Sequence, residues 1–294
     1  MTHPPATSPL ATTSPLQWGG EDLWLALQPQ LPGFTVEVLP SIDSTNSELM
    51  RRARAGQAEP TLLVAELQTA GRGRRGRTWV NAPGDCLMYS LGLVLDPSDW
   101  SGLSLVVGLS IAESLQAART DGGAPIRVKW PNDLWLADGR KLGGTLIETA
   151  NLPQGCSVPA VAGQAGHPRY VIIGTGINVQ PPAGDSDLSL PPAALQQLSP
   201  GWQAPLALRQ LLPALVRDVL DFARYGFGPF RERFAAVDLL REQPVHLSDG
   251  TAGTAVGVAV DGALLVRTAQ GIQAINSSEV SVRPQSMLLP STPA

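Results

Sequence analysis

Two β-prone apolar runs, Thr61 to Leu67 and Cys86 to Leu95, are joined by the segment Gly71-Arg72-Gly73-Arg74-Arg75-Gly76-Arg77. A chain that brings two apolar strands together across such a linker has to leave the linker at the surface as a loop. The loop's chemistry suits polyanions. Arginine forks onto phosphate or carboxylate oxygens, and glycine permits the φ > 0 turns that aim backbone N–H groups at the same atoms. A solvated basic loop is the ordinary reading of a charge run. An RNA-binding Arg-Gly tract is another, although such tracts usually repeat and this one occurs once.

Around these strands the pattern is mixed. Phe34 to Leu39 alternates like a strand, and Thr45-Asn46-Ser47-Glu48 reads as a capping box opening a helix through about Ala55, with Gly56 as its stop. Leu103, Val106, Val107, Ile111, Leu115 and Ala118 predict an amphipathic helix with one apolar face, ending before Asp121-Gly122-Gly123. Ile126 to Trp130 reads as a strand broken at Pro131-Asn132-Asp133. Leu134 to Leu136 and Leu142 to Thr149 form a hairpin around Asp138-Gly139, and Tyr170 to Val179 is a further strand. Gln180 to Pro205 is irregular, and Leu206 to Tyr225 is helical, with a kink expected at Pro213 and termination at Gly226. After a short helix near Phe230 to Val237, short strands at Val245 to Leu247, Thr254 to Val260, Leu264 to Thr268 and Ile272 to Ile275 mark a small all-β unit.

These elements suggest a disordered tail over 1–20, a large domain over 21–239, a small one over 240–285 and a second tail over 286–294. With 43% hydrophobic and 16% charged residues, the chain can bury a core without staples. A net charge of −4 gives no global attraction to nucleic acid or anionic membrane, so anion binding must come from local clusters such as Arg72 to Arg77. Cys86 and Cys156 lie far apart and read as buried reduced thiols, and metal-ligand spacing is lacking. Met1 to Leu16 lacks the cationic start and apolar run of a signal peptide, and Leu103 to Leu115 is too short to span a bilayer, so a cytoplasmic protein is expected.

Three further segments stand out. Lys129-Trp130-Pro131-Asn132-Asp133 presents an amide and a carboxylate where proline interrupts sheet pairing, although Asn-Asp after proline is also ordinary turn chemistry. Lys141-Leu142-Gly143-Gly144 follows a hairpin turn with glycines that leave room for a ligand or another backbone. Gly174-Thr175-Gly176-Ile177-Asn178 superficially resembles a dinucleotide fingerprint, but Val179 stands where glycine is required, and Pro181-Pro182 blocks the helix that should follow.

With Ser44-Thr45-Asn46 and with Gln68 leading into the Arg-Gly loop and Trp79, these segments resemble, in order and spacing, the bacterial biotin protein ligases from about Leu39 to Pro284. The resemblance implies an α+β fold: a mixed β-sheet flanked by helices, related to class II aminoacyl-tRNA synthetases, with a small C-terminal SH3-like β-barrel. It implies that Ser44, Thr45, Asn46 and Gln68 hold the ureido head of biotin, with Gly71 and Arg72 near it and Gly144 beside the valerate chain. Arg74, Arg75 and Arg77 would order over the adenylate, and Trp79 would pack near the adenine. Lys129, Asn132, Asp133 and Asn178 would support ATP, and Arg283 would reach it from the barrel. Lys141, Arg72 and Asp133 are the catalytic candidates. Lys141 would meet both the biotin carboxylate and the α-phosphate, with Mg²⁺ assisting the leaving pyrophosphate, and Asp133 is a candidate general base.

The product would be biotin attached to a lysine of a biotin carboxyl carrier protein, and a homodimer is compatible with the resemblance. Only some forty residues precede Ser41, too few for the operator-binding domain of many relatives, so no repressor function is expected. Two other readings remain open: a lipoate ligase of the same fold, for which the ureido-binding residues would have no purpose, and a nucleic-acid-binding protein using the Arg-Gly loop.

Overall fold

The computed structural model describes residues 16–79, 82–119, 122–153, 155, 158–182, 192–276 and 282–284. The tail expected over 286–294, Cys156 and the first fifteen residues of the tail expected over 1–20 lie outside these. Trp18, inside that expected tail, is instead buried and donates its indole N–H to Glu66 Oε1 at 3.0 Å.

The large unit begins with α1 (Gly20–Leu27), β1 (Thr35–Leu39), α2 (Thr45–Arg54) and β2 (Thr61–Ala65). The Arg-Gly segment is a small hairpin, β3 (Gly71–Arg72) and β4 (Thr78–Trp79), joined by one 3₁₀ turn. Then come β5 (Cys86–Asp96), α3 (Leu103–Ala117), β6 (Ile126–Lys129), β7 (Asp133–Leu136), β8 (Lys141–Asn151), β9 (Ala162–Gly163) and β10 (Arg169–Asn178). The helices α4 (Leu195–Leu198), α5 (Ala204–Tyr225) and α6 (Arg231–Val237) complete it.

Its sheet runs β1-β2-β5-β10-β8-β7-β6, with β9 beside the end of β5. The β1/β2 and β5/β9 pairs are parallel and the rest antiparallel, giving the expected mixed sheet. All eleven residues of β5 are buried, which suits a strand covered on both faces. The expected hairpin around Asp138-Gly139 is β7/β8. Pro131 also turns β6 into β7, so Asp133 is the first residue of a paired strand as well as the end of a turn.

One face of the sheet carries α3 and, outside it, α5. Eleven of the fifteen residues of α3 are buried, Ser110 and Ser114 among them, so the expected single apolar face is wrong. The helix is sandwiched between sheet and helices and has almost no side left for water. Gly108 makes the contact close, since a Cβ there would lie 3.1 Å from Val128 Cγ1. α5 continues through Pro213 and ends at Gly226 with φ 68°, the left-handed φ that glycine adopts readily.

The C-terminal strands β11 (Pro244–Leu247), β12 (Ala252–Val258), β13 (Leu264–Thr268), β14 (Gly271–Ile275) and β15 (Val282–Pro284) form an antiparallel sheet ordered β14-β13-β12-β11-β15. It packs directly on the large unit. Trp130, buried, donates its indole N–H to Gly262 O at 3.0 Å, and Arg231 Nε donates to Val258 O at 3.0 Å. One apolar cluster includes Val106 and Leu211 of the helices together with Val245, Val258 and Val266 of this sheet.

Asp238 lies at the junction, bridged to Val128 of β6, and accepts from Leu240 N at 2.9 Å. Burial pushes its pKa up to about 6, against the lowering effects of that N–H and of Arg241. Between pH ~4 and ~6 the folded state keeps a proton that the unfolded chain has released, so Asp238 makes the protein lose stability as pH rises through that window. Asp238→Asn keeps the acceptor for Leu240 N and removes the titration. In urea unfolding the variant should therefore gain on the unaltered protein between pH ~4 and ~7, by on the order of 2 kcal/mol. A difference that does not change with pH would contradict this.

Candidate active site

The site lies on the sheet face opposite α3. Side chains alternate along a strand, so Tyr170, Ile172, Gly174 and Gly176 of β10 point to this face. Tyr170 and Ile172 pack with Leu49 and Ala53 of α2. The two glycines leave bare backbone on which other groups rest. A Cβ on Gly174 would lie 2.0 Å from Asn46 Oδ1, and one on Gly176 would lie 2.8 Å from Trp79 Cε2. Register carries this face sideways to Ser90 and Met88 on β5 and to Gly144, Leu146 and Glu148 on β8.

A polar cluster is built by the N-terminus of α2. Its cap is Ser44, not the Thr45 of the expected capping box: Ser44 Oγ accepts from Ser47 N at 3.4 Å. With the helix starting at Thr45, Glu48 falls one position too late to close a box and pairs with Arg51 and Arg52. Thr45 is thereby free to face inward. Its backbone N–H donates to Gln68 Oε1 at 2.8 Å, and its hydroxyl oxygen lies 3.2 Å from the same oxygen. Ser90, fully buried, donates to Asn46 Oδ1 at 2.6 Å and lies 2.7 Å from Thr45 Oγ1. Asn46 Nδ2 in turn donates to Leu146 O at 3.1 Å and Glu148 Oε2 at 2.9 Å. Gly71 fits beside it because a Cβ there would meet Trp79 O at 2.6 Å and Gln68 Nε2 at 3.5 Å.

The basic hairpin borders this cluster. Arg72 Nη2 donates to Glu148 Oε2 at 2.5 Å. Arg74 Nη1 donates to Asn132 Oδ1 at 2.9 Å, and Asn132 Nδ2 donates to Thr145 O at 2.6 Å. Burial pushes the Arg74 guanidinium below its ordinary value and Asp133 pulls it back, while Arg75 adds repulsion. Arg75 itself, with φ 57° beside Gly76 at φ 71°, makes the left-handed turn and is exposed, as is Arg77. The hairpin thus ties two arginines, the exposed Arg72 and the half-buried Arg74, to Glu148 and Asn132, and leaves Arg75 and Arg77 exposed.

Lys141 and Asp133 form the opposite wall, with Nζ–Oδ1 2.8 Å and both side chains about a quarter exposed (25% and 21%). They sit over Gly144, where a Cβ would come 2.9 Å from Asp133 Oδ1 and 3.7 Å from Lys141 Nζ. Lys129 stands 5.4 Å from the centre of the Trp135 ring.

Of the residues singled out in the sequence, Ser44, Thr45, Asn46, Gln68, Gly71, Arg72, Arg74, Trp79, Asn132, Asp133, Lys141 and Gly144 converge on this face. Asn178, further along β10, is committed to the interior: Nδ2 donates to Ala193 O at 3.0 Å, and Oδ1 accepts from Cys86 Sγ at 3.7 Å. Burial pushes the Cys86 thiol up to about 12, so it is neutral, as expected of a buried thiol. Arg283 lies opposite His246 in β15, and its side chain is outside what is described.

Sequence reasoning missed Glu148, Ser90 and Thr145. Glu148 shares the period-2 phase of Gly144 along β8, and Ser90 is the one small hydroxyl residue within an apolar run. Both were visible signals.

A methyl at Gly174 must displace Asn46, so Gly174→Ala should cost about 1–3 kcal/mol in urea unfolding. Gly201→Ala, where a Cβ meets nothing within 4 Å, serves as the control and should be near neutral. Equal stability of the two variants would show that Asn46 is not held against this backbone.

Residues 38–158 match the biotin/lipoate A/B protein ligase family, and residues 242–283 match the biotin protein ligase C-terminal domain. The chain is 36% identical over 272 residues to the bifunctional ligase/repressor BirA of Salmonella typhimurium, covering 86% of this chain and 76% of that protein. It is 33% identical over 254 residues to the biotin--[acetyl-CoA-carboxylase] ligase of Paracoccus denitrificans, covering 83% and 98%. A solved structure of biotin protein ligase from Aquifex aeolicus in complex with biotin and ATP superposes with TM-score 0.67 at 27% identity, over 85% of this chain and 99% of that one. By sequence and by fold, the chain belongs to the biotin protein ligase family.

Proposed function

We propose that this chain is a ligase that activates biotin with ATP to biotinyl-5'-AMP, releasing pyrophosphate, and then transfers biotin to a lysine of a biotin carboxyl carrier protein. The observation that carries the reading is the placement, on one bare sheet face, of a neutral polar cluster beside the Lys141–Asp133 and Arg74–Asn132 wall. The names of the relatives, and the biotin and ATP in the Aquifex complex, agree with it.

A ureido group needs donors for its carbonyl and acceptors for its two N–H groups. Ser44, Thr45, Asn46 and Gln68 supply both kinds without a charge. Gln68 Nε2 has no hydrogen-bond partner among the described residues and is the donor we assign to the ureido carbonyl. Gly71 and Arg72 close the same end, and Gly144 leaves space for the valerate chain.

At the other end a carboxylate must attack the α-phosphate. Two unit charges ~4 Å apart repel by about 4 kcal/mol at an effective dielectric near 20. Lys141 offsets this by donating to both anions, held in place by Asp133 until they arrive. Arg74, already partly desolvated, adds a second cation, and Arg75 and Arg77 reach the phosphates as the hairpin closes. Trp79 offers an indole surface to the adenine, while Lys129, Asn132 and Arg283 complete the nucleotide site, and Asn178, whose amide is bonded to Ala193 and Cys86, supports it from behind. Mg²⁺ would neutralise the departing pyrophosphate.

The adenylate is a mixed anhydride that water destroys, so the hairpin should close over it. The carrier lysine then attacks the acyl carbon, the acyl–oxygen bond to phosphate breaks, and AMP leaves. Asp133 is the carboxylate we assign to the lysine's proton. The proposal extends to the division into catalytic residues 21–239 and a C-terminal unit 240–285, to a cytoplasmic setting and to homodimer formation.

A nucleic-acid reading is disfavoured because Arg72 and Arg74 turn inward to Glu148 and Asn132. The function is tested by biotin-dependent ATP–pyrophosphate exchange. The unaltered protein should exchange only when biotin is present, and Lys141→Ala should slow exchange about 10²–10³-fold. Near-normal exchange in that variant would remove Lys141 from the mechanism.

A further inference from the structure

Glu148 lies on β8 opposite Ile172, on the face that carries the site. One of its oxygens, Oε2, accepts from two elements that are otherwise separate: Asn46 Nδ2 of α2 at 2.9 Å and Arg72 Nη2 of the basic hairpin at 2.5 Å. Asn46 is locked by this arrangement. Its amide nitrogen faces two acceptors, Glu148 Oε2 and Leu146 O, and its amide oxygen faces the Ser90 hydroxyl. With the Ser90 proton committed to Asn46, the Thr45 hydroxyl is left to donate to Ser90 Oγ, 2.7 Å away, and Thr45 holds Gln68 Oε1 through its backbone N–H at 2.8 Å. A single carboxylate therefore sets the direction of a hydrogen-bond chain that runs from Asn46 through Ser90 to Thr45, the residue whose backbone N–H holds Gln68. The same carboxylate ties the hairpin to that chain.

We propose that Glu148 is a positioning residue that couples the uncharged head-group pocket to docking of the Arg72 hairpin. This inference rests on the biotin reading above. The Arg72–Glu148 pair is 44% and 25% exposed, so it is weak enough in water to open and re-form as ligand enters and leaves. The Asn46 contact, by contrast, is shielded: Asn46 is 5% exposed. Loss of the charge should therefore disturb binding and retention more than the chemical step, which depends on Lys141.

The test compares Glu148→Gln, which preserves volume and one acceptor, with Glu148→Asp, which preserves charge but is one methylene shorter. Pyrophosphate exchange is measured over a range of biotin concentrations, and release of labelled adenylate is followed after trapping. In Glu148→Gln the biotin KM should rise about 10-fold or more and adenylate should escape several-fold faster, while kcat at saturating biotin stays within about 3-fold. Glu148→Asp should recover part of both losses. In the background of Arg72→Ala, the effect of Glu148→Gln on adenylate escape should disappear. An unchanged KM and escape rate in both variants, or a fall in kcat with KM unchanged, overturns the inference while leaving the biotin reading intact. If Glu148→Gln does not fold, Glu148→Asp decides alone: it must raise KM, and an unaltered KM overturns the inference. Absence of biotin-dependent exchange in the unaltered protein overturns both.

Discussion

The closeness of other groups to the bare backbone of Gly174 and Gly176 is the constraint on which the site depends. A strand in the middle of a sheet normally covers both faces with side chains, and here the face of β10 that packs α2 through Tyr170 and Ile172 loses its side chains two residues later. Asn46 fills one vacated position and Trp79 the other, each nearer than any Cβ would allow. This lets the helix N-terminus and the basic hairpin sit on one surface. Gly143 and Gly144 extend the same thinning to β8, where a Cβ on Gly143 would meet Gly176 O at 2.4 Å.

Charge is arranged across that surface in a graded way. The side chains of Thr45, Asn46, Gln68 and Ser90 are uncharged and bonded to one another, with Glu148 behind Asn46, which suits a group that is polar but uncharged. The wall of Lys141, Asp133, Arg74 and Asn132 is charged and partly open, which suits anions that arrive and leave. Each cation there already has a partner, so none is stranded when the site is empty. The exposed Arg75 and Arg77 are the remainder of the same supply.

Much of this was legible in the chain, and the failures have physical causes. A β-prone apolar run located β5, the Asp138-Gly139 turn located β8, β10 was read as a further strand, and helical spacing located α3 and α5. Periodicity could not reveal that α3 is covered on nearly every side, because two of its polar positions, Ser110 and Ser114, are small enough to enter a core. The helix start was misjudged by one residue because Ser44 and Thr45 both make good caps, and only the tertiary demand of Gln68 and Ser90 for a hydroxyl decides between them. Motif reading found the arginines, lysine and glycines of the site. It passed over Glu148, whose meaning appears only when β8 is set in register with β10 and the hairpin folds back on it. Arg75 and Arg77 look equivalent to Arg72 and Arg74 in sequence, yet the turn at Arg75 and Gly76 points them outward.

The central claim is that the uncharged cluster selects a ureido head while the cationic wall joins its carboxylate to a nucleotide. The most direct measurement is the amount of acyl-adenylate held by the protein after mixing with ATP and either biotin or lipoate, read by mass spectrometry of the isolated complex. The account predicts close to one biotinyl-adenylate per chain and none from lipoate. Equal yields from the two acids, or no adenylate with biotin, would contradict it.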